Sequence, residues 1–221
     1  MIEPYYSEDG ITIYNARAEE VLPQLTQADL ILTDPPYGRI GGSKRIGGSN
    51  MVEVNEYDLS WDVRLNREQL ESVLAIGKRA IVWGGNYYSD ILPVTNAWLV
   101  WDKKVQNGWD DNFSDGEMAW TNIETPLKIY RHLWMGCLRK NGKVREHPTE
   151  KPVELMQWCI QRAGTSGTII DPYLGSGTTL LAAKRLGRRA VGIEMSEEYC
   201  RIAVRRLSQM QMVFDENGHG S

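Results

Sequence analysis

Asp171-Pro172-Tyr173-Leu174-Gly175-Ser176-Gly177-Thr178-Thr179 is the stretch that decides the fold. A short apolar run, 168–170, precedes it, and a helix-forming segment, 178–186, grows out of it. A second apolar run, 190–193, then ends at Glu194. A strand, a glycine turn, a helix, a strand and an acid, in this order, form half of a nucleotide-binding α/β fold.

The glycine turn is compatible with several ligands. Gly175 and Gly177 let the backbone turn sharply and let a ligand approach where a Cβ would clash. A phosphate-binding loop is excluded, because no Lys follows the glycines where phosphates need one. A NAD or FAD site lacks its third glycine, since Leu180 stands there. A nucleoside cofactor without a pyrophosphate and a plain turn without a ligand both stay open. With a ligand, Glu194 would accept hydrogen bonds from the ribose hydroxyls.

Strands and helices alternate outward from this stretch. Further short apolar runs at 12–14, 30–33, 80–83 and 97–101 predict strands. Continuous apolar strands between helices indicate a mostly parallel sheet that is covered by helices on both faces. Three helices are predicted, with Asn66, Thr149 and Ser196 as their N-terminal caps. The first runs through Ile76, the second carries Pro152 in its first turn and ends before Gly164, and the third runs through about Gln209.

A second motif, Asp34-Pro35-Pro36-Tyr37, ends the apolar run 30–33. Two prolines cannot continue a central strand, so the chain must leave the sheet at its carboxyl edge, where open α/β folds bind ligands. A carboxylate and a carbonyl oxygen together match the two hydrogens of an amino group, and the ring of Tyr37 offers a stacking face. A planar amine such as that of a nucleobase fits this set, although a proline-terminated turn without a function has the same composition.

Two basic tracts flank the catalytic candidates. The segment 39–52 carries Arg39, Lys44 and Arg45, and the segment 126–145 carries six basic residues, neither with an acid. The six are Lys128, Arg131, Arg139, Lys140, Lys143 and Arg145. The whole chain has a net charge of −4, so the remainder carries −13. Such tracts could neutralise the phosphates of a nucleic acid, or they could be solvated faces.

Length and composition limit the other classes. A chain of 221 residues with 42% hydrophobic residues accommodates one α/β domain. Cys137, Cys159 and Cys200 form no metal or disulfide pattern, and we expect them to be apolar filler in a reducing cytoplasm. No signal peptide or membrane span is recognisable, so we expect no membrane partner. No His or Cys spacing indicates a metal site. We expect Trp98, Trp101 and Trp120 to pack in the core.

Taken together, the motifs resemble those of the permuted β group of DNA amino-methyltransferases, which use S-adenosylmethionine. Asp34-Pro35-Pro36-Tyr37 resembles their catalytic motif, and 171–179 resembles their cofactor motif. His147-Pro148-Thr149-Glu150-Lys151-Pro152 and Val191-Gly192-Ile193-Glu194 resemble two further segments. The catalytic motif precedes the cofactor motif, which is the order of the β group.

The resemblance implies a single methyltransferase domain, 1–221, with a Rossmann-like fold. Its catalytic half would span about 11–100, its cofactor half about 148–210, and its variable DNA-contacting segments about 39–62 and 103–147. It implies transfer of a methyl group to a flipped-out base in double-stranded DNA, a restriction–modification setting and S-adenosylhomocysteine as product. A homodimer in a bacterial or phage-infected cell is also expected.

The resemblance also implies residue roles. Asp34 and the Pro35 carbonyl would hold the target amine in a segment that Pro36 stiffens, and Tyr37 would stack on the base. The cofactor would be held by residues of the glycine turn and its surroundings, with Lys151 on the rim. These are Asp171, Tyr173, Gly175, Ser176, Gly177, Thr178, Thr179, Glu194, Lys151 and Asn15.

One departure from the family pattern follows the first predicted strand. An acid is usual there, near the cofactor adenine, and this chain has Arg17, so Asn15 or a backbone group would take that role. The Asp form of the catalytic motif indicates the N6 amine of adenine, because members acting on cytosine N4 more often carry Ser. Cytosine N4, RNA, a protein glutamine amide and a catalytically silent relative stay open as alternatives.

Overall fold

The computed structural model describes residues 2–38, 63–104, 114–133 and 151–217, with side chains to residue 209. The strands are β1 Tyr6–Glu8, β2 Ile11–Asn15, β3 Ala28–Thr33, β4 Gly77–Trp83, β5 Trp98–Asp102, β6 Gly116–Thr121, β7 Lys128–Arg131, β8 Ile169–Asp171 and β9 Ala190–Glu194. The helices are α1 Ala18–Val21, α2 Arg67–Ala75, α3 Val153–Ala163, α4 Thr178–Arg185 and α5 Glu197–Asn217. Short 3-10 turns occupy Leu22–Gln24 and Gly85–Tyr88.

The nine strands form one sheet in the order β1-β2-β9-β8-β3-β4-β6-β5-β7. The central strands β2, β9, β8, β3 and β4 pair in parallel. β1 is antiparallel to β2, and β6 is antiparallel to both β4 and β5. Since β3 lies between β4 and β8, the two sequence motifs leave the sheet at neighbouring carboxyl ends.

Alternate side chains of the sheet pack into two separate cores. On one face, Leu30 and Leu32 pack with the apolar sides of α3, α4 and α5. On the other face, Ile31 packs with α1 and α2. The alternation follows from the two-residue period of a strand. The predicted parallel sheet with helices on both faces is therefore confirmed.

The element boundaries show where the sequence prediction was incomplete. Asn66 caps α2 as predicted, since its side chain accepts from the Gln69 backbone N–H. Pro152 is the N-cap residue of α3 and lies just before its first turn. Strands β1, β6 and β7 were not predicted, because their sequences mix apolar and polar residues at the edges of the sheet or in its antiparallel part.

The burial of the tryptophans and cysteines agrees with the expectation. Trp101 and Trp120 are buried, Trp98 packs partly buried against the second core, and Cys159 and Cys200 are buried. Cys137 lies outside the described residues. In the part of the chain that the structure describes, no helix combines the length and the apolar character that crossing a membrane requires.

Candidate active site

The catalytic and cofactor motifs meet at the carboxyl edge of the central strands. Asp34 follows β3, Asp171 ends β8 and Glu194 ends β9. A direct hydrogen bond joins the two motifs, since the Thr33 hydroxyl donates to Asp171 Oδ1 over 2.9 Å. The site is thus assembled by three neighbouring parallel strands, as expected for an open α/β sheet.

The two carboxylate oxygens of Asp34 have different environments. Oδ2 forms an ion pair with the ammonium of Lys151, which precedes α3. Oδ1 is buried and has no hydrogen-bond partner among the described residues. A buried acceptor without a partner is costly, and such atoms call for an explanation. This oxygen is free to accept a hydrogen bond from a ligand.

Lys151 is held by a second acid. Its ammonium lies 3.2 Å from Glu117 Oε2 on β6 and 5.6 Å from the centroid of the Trp83 ring. The other oxygen of Glu117 pairs with Lys103, which follows β5. Four alternating charges, Lys103, Glu117, Lys151 and Asp34, therefore form one chain of contacts, which we call the charge network.

The charge network shifts the pKa values of its members. Burial raises the pKa of the Asp34 carboxyl, and the ammonium of Lys151 opposes this rise. Burial alone would raise the pKa of Glu117, but Lys151 and Lys103 together lower it to about 2. Burial alone would lower the pKa of Lys151, but the carboxylates of Asp34 and Glu117 raise it above its usual value. Lys151 therefore stays charged.

The resemblance implied that Lys151 lies on the rim of the cofactor site, but in the structure its side chain is buried. Its side chain is only 3% exposed and its ammonium is engaged by Asp34 and Glu117. Its contacts link it to the catalytic motif, and its contact with a cofactor stays a prediction.

Tyr37 stacks on a second tyrosine. Its ring lies 4.6 Å from that of Tyr87, with an angle of 28° between the planes. Gly84 makes room for this ring: its φ is +66°, and a Cβ built there would lie 2.5 Å from a Tyr37 ring carbon. Tyr88 fixes the backbone of the motif, because its hydroxyl donates to the Pro36 carbonyl. The carboxylate of Asp34 and burial both raise the pKa of Tyr37, so its hydroxyl stays protonated.

Glu194 is oriented by backbone groups. Its Oε2 accepts from the Gly175 N–H over 2.9 Å and its Oε1 accepts from the Ser196 N–H over 2.8 Å. Burial raises the pKa of this carboxyl, and the backbone hydrogen bonds oppose the rise. Asn15 donates from its side-chain amide to the carbonyls of Glu194 and Met195, each over 3.0 Å. Asn15 thus ties β2 to the segment after β9.

Asp171 is compensated by neutral donors. Besides the Thr33 hydroxyl, the Tyr173 N–H donates to its Oδ1 over 3.2 Å, and Thr179 contributes a further side-chain hydrogen bond. Burial raises the pKa of Asp171 to about 6, although these hydrogen bonds pull it down. Asp171 therefore holds the cofactor turn to the end of β3.

The glycine turn is fixed by α5. Gly177 has a φ of +87°, which confirms the predicted sharp turn, and a Cβ there would lie 2.7 Å from the Ala203 side chain. Arg206 on α5 donates to the carbonyl and hydroxyl of Ser176, each over 2.7 Å, and to the Thr178 hydroxyl over 3.4 Å. The absence of a side chain at Gly177 therefore allows α5 to pack closely against the turn.

Most of the predicted DNA-binding residues lie outside the described residues. These are Arg39, Lys44, Arg45, Arg139, Lys140, Lys143 and Arg145. Lys128 and Arg131 lie on β7, four strands away from β3 at the edge of the sheet. Arg131 is largely exposed and lies 3.6 Å from Asp102 Oδ2.

Several residues of the site were not predicted from the sequence. Gly84, Tyr87 and Tyr88 directly follow the predicted strand 80–83, so their position at the carboxyl edge was a usable signal. Glu117 and Lys103 lie in a region with weak periodicity, where no sequence pattern marks them. Arg206 is one of several arginines on α5 and carries no distinguishing signal either.

Comparison with known proteins decides the family. A family model described as DNA methylase matches residues 86–205, which is more than half of the chain. The chain belongs to the DNA methylase family. The predicted family and its methyltransferase activity are thereby confirmed.

Individual relatives of this DNA methylase extend over nearly its whole length. It is 26% identical to the Type II methyltransferase M2.LlaDCHI of Lactococcus lactis subsp. cremoris, covering 95% of this chain and 93% of that protein. It is 27% identical to the Type II methyltransferase M2.DpnII of Streptococcus pneumoniae, covering 94% and 93%.

A solved structure shows the same fold. The crystal structure of the M1.HpyAVI–SAM complex superposes with a TM-score of 0.61 at 23% identity, covering 89% of this chain and 98% of that one. The Rossmann-like methyltransferase fold predicted from the motifs is therefore confirmed.

Proposed function

We propose that this DNA methylase transfers the methyl group of S-adenosylmethionine to the N6 amine of an adenine that is flipped out of double-stranded DNA. The observation that carries this proposal is the buried Oδ1 of Asp34, which has no partner among the described residues. It lies at the carboxyl edge beside the cofactor motif, where a base and a nucleoside cofactor can meet.

The exocyclic amine of adenine has two hydrogens that require acceptors. Asp34 Oδ1 accepts from one of them, and we assign the other to the Pro35 carbonyl, since the Pro36 carbonyl already accepts from Tyr88. Both acceptors draw electron density toward the nitrogen, whose lone pair is otherwise delocalised into the ring. The amine loses one proton as it gains the methyl group, and Asp34 is placed to accept that proton.

The target base must leave the helix, because its amine is paired inside the duplex. Flipping costs a few kcal/mol, and stacking on an aromatic ring returns about 1–3 kcal/mol per base. Tyr37 is the stacking ring, supported from behind by Tyr87 at 4.6 Å.

The cofactor motif has the groups that a nucleoside cofactor needs. Glu194 is the ribose-binding acid, held in place by the N–H groups of Gly175 and Ser196. The remaining predicted residues, Asp171, Tyr173, Ser176, Gly177, Thr178 and Thr179, build the turn beside it. When bound, S-adenosylmethionine supplies an electrophilic methyl group. The M1.HpyAVI structure, determined as a SAM complex, supports this choice.

The proposed contacts with DNA rest on the basic tracts. Arg39, Lys44, Arg45, Lys128, Arg131, Arg139, Lys140, Lys143 and Arg145 are proposed to contact DNA phosphates. A homodimer is proposed as well, in which a second copy would supply further contacts to the DNA. The proposed chemistry requires no metal ion, and we place the enzyme in the cytoplasm.

The test identifies the methylated atom. The protein is incubated with methyl-labelled S-adenosylmethionine and with DNA, RNA and protein acceptors, and the products are digested and separated. We expect N6-methyladenine from duplex DNA. Finding N4-methylcytosine instead would show that cytosine is the target base. Label in RNA or protein alone would refute the DNA proposal.

Asp34→Asn tests the acceptor. We expect methyl transfer to fall by about a hundred- to a thousandfold, because a preorganised charged acceptor is lost, while cofactor binding changes little. Asp29→Asn is the matched control, since Asp29 is at the other end of β3 and pairs with Lys78 over 2.8 Å. A fully active Asp34→Asn variant would show that the Asp34 carboxylate is not needed for methyl transfer.

A further inference from the structure

The charge network connects the catalytic motif after β3 with residues on β6 and after β5. Its members come from four places in the chain: Lys103 follows β5, Glu117 lies on β6, Lys151 precedes α3 and Asp34 follows β3. Lys151 is the most enclosed member, with a side-chain exposure of 3%, and the side chains of Asp34, Lys103 and Glu117 are 18%, 20% and 28% exposed. Asp34 is one end of the network, and its Oδ1 has no hydrogen-bond partner among the described residues.

We propose that Lys151 and Glu117 are positioning residues of the methylase, which act on the target amine only through Asp34. Lys151 holds Asp34 Oδ2 so that Oδ1 faces the amine, and Glu117 holds Lys151. The inference rests on the proposed function, because it takes Asp34 as the acceptor of the amine hydrogen.

The contacts of Lys151 show why it can hold Asp34 in one orientation. An ammonium has three hydrogens, and the carboxylates of Asp34 and Glu117 take up two directions around it. The Trp83 ring covers a third side at 5.6 Å. A buried charge that loses one partner is strongly destabilised, so Lys151 cannot swing away from either acid without cost.

The protonation of Asp34 depends on the charges that face it. Lys151 and the more distant Lys103 lower its pKa, and Glu117 raises it, while burial raises it most of all. Tyr37, which also faces it, stays neutral, and Asp171 behind it adds a weaker mutual repulsion. Since Asp34 must be ionised to accept a proton, the network sets the pH above which the methylase works.

Substituting different members of the network should shift the pKa of Asp34 in different directions. This pattern distinguishes positioning residues from residues that only support the fold. Removing Glu117 leaves the charge of Lys151 uncompensated, so the pKa of Asp34 should fall. Removing Lys151 should raise it, and removing Lys103 should raise it less. A purely structural role would lower stability or activity in every variant and move no pKa.

The experiment measures Asp34 directly and also its reaction. Protein labelled with carbon-13 at the aspartate carboxyls is titrated by NMR, with the Asp34 signal assigned from Asp34→Asn. We expect the Asp34 midpoint to fall by about one pH unit in Glu117→Gln and to rise by about one to three units in Lys151→Met. The single-turnover rate of DNA methylation should shift its acidic limb in the same directions.

Asp115→Asn is the matched control. Asp115 directly precedes β6, its side chain is 83% exposed, and it pairs with Lys104 over 2.6 Å. The substitution removes the same charge two residues from Glu117 and should leave the Asp34 midpoint unchanged. If Glu117→Gln fails to fold, Lys103→Met takes its place, with an expected upward shift.

The outcomes separate this inference from the proposed function. An unmoved Asp34 midpoint in both Glu117→Gln and Lys103→Met would overturn the inference, even if the wild-type protein methylates adenine. The predicted midpoint shifts together with a wild-type protein that does not methylate DNA would overturn the proposed function. The electrostatic part of the inference, namely that these residues set the protonation of Asp34, would then still hold.

Discussion

Glu194 and Asp34 are carboxylates at the same edge of one sheet, yet their charges are compensated in opposite ways. At the cofactor end, both oxygens of Glu194 accept from backbone N–H groups, at 2.9 Å from Gly175 and 2.8 Å from Ser196. At the catalytic end, one oxygen of Asp34 pairs with a lysine and the other has no partner among the described residues. Neutral donors hold the first acid, and a charge holds the second.

The difference fits the two tasks that we propose for these acids. A cofactor-binding acid must present a fixed acceptor in every turnover, and backbone N–H groups provide this without any further titrating group. An acid that accepts a proton must stay ionised despite burial, and a neighbouring ammonium favours the charged form. The comparison therefore predicts that substitutions at the cofactor end weaken cofactor binding, and that those at the catalytic end change the rate or DNA binding and leave cofactor binding intact.

The largest effect on binding is expected for Glu194→Ala. The loss of a charged acceptor for the ribose hydroxyls should cost about 3 kcal/mol or more, which corresponds to more than about a hundredfold in cofactor affinity. Isothermal titration of S-adenosylmethionine against the variant measures this. Glu197→Ala is the control, since this exposed acid begins α5 only three residues later.

The division between the two ends would break if Asp34→Asn weakened cofactor affinity as strongly as Glu194→Ala. It would also break if Glu194→Ala bound the cofactor normally and lost only rate. Either result would mean that the two acids act as one unit.

A smaller effect is expected for Tyr37→Ala, which removes the stacking ring of the catalytic end. The expected loss of about 2 kcal/mol should weaken the binding of DNA with an unpaired target base by about thirtyfold. Cofactor affinity should stay unchanged. Fluorescence anisotropy at fixed salt measures the DNA affinity of the variant.

Tyr37→Phe distinguishes the ring from the hydroxyl. It keeps the stack on Tyr87, so DNA affinity should stay within a few fold of the wild type. Tyr5→Ala removes a tyrosine that is 38% exposed and belongs to neither end, and it controls for the loss of an aromatic ring as such. A Tyr37→Ala variant with normal affinity would show that the flipped base stacks elsewhere.

The sequence predicted the parts of the site that depend on local signals. The strand before Asp34, the glycine turn and the strand before Glu194 each combine an apolar run with residues that stop it, and adjacent parallel strands bring such ends together. The parallel centre of the sheet and its two covered faces followed from the same runs. Gly177 needed its positive φ as predicted, although the atoms it approaches belong to Ala203 of α5.

The charge network could not be predicted, for a physical reason. Glu117 and Lys103 come together with Lys151 only because β6 runs antiparallel beside β4, and the polar sequence of that region gave no strand signal. The sequence showed Lys151 near a cofactor motif, but a contact with one carboxylate oxygen is set by tertiary packing. The roles of the basic residues outside the described residues stay predictions.

The smallest effect is expected where the cofactor end and the catalytic end meet. There the Thr33 hydroxyl donates to Asp171 Oδ1 over 2.9 Å. Burial raises the pKa of Asp171 from 3.8 to about 6, since neutral donors compensate its charge only in part. Between these two values the folded protein binds the proton more tightly than the unfolded chain does. Asp171 therefore contributes stability below about pH 4, which is lost as the pH rises through about 6.

Thr33→Val removes one of the hydrogen bonds that hold this pKa down, so the pKa should rise further. The free energy of unfolding should fall by about 1–2 kcal/mol at pH 8, where Asp171 is ionised, and by less at pH 4, where it is protonated. Urea unfolding at the two pH values measures the difference. Thr121→Val is the matched control, because the buried Thr121 hydroxyl donates over 2.7 Å to the Ala80 carbonyl, which does not titrate. Its loss should be equal at both pH values, and an equal loss for Thr33→Val would show that the Thr33–Asp171 hydrogen bond does not depend on a change in the ionisation of Asp171 between pH 4 and pH 8.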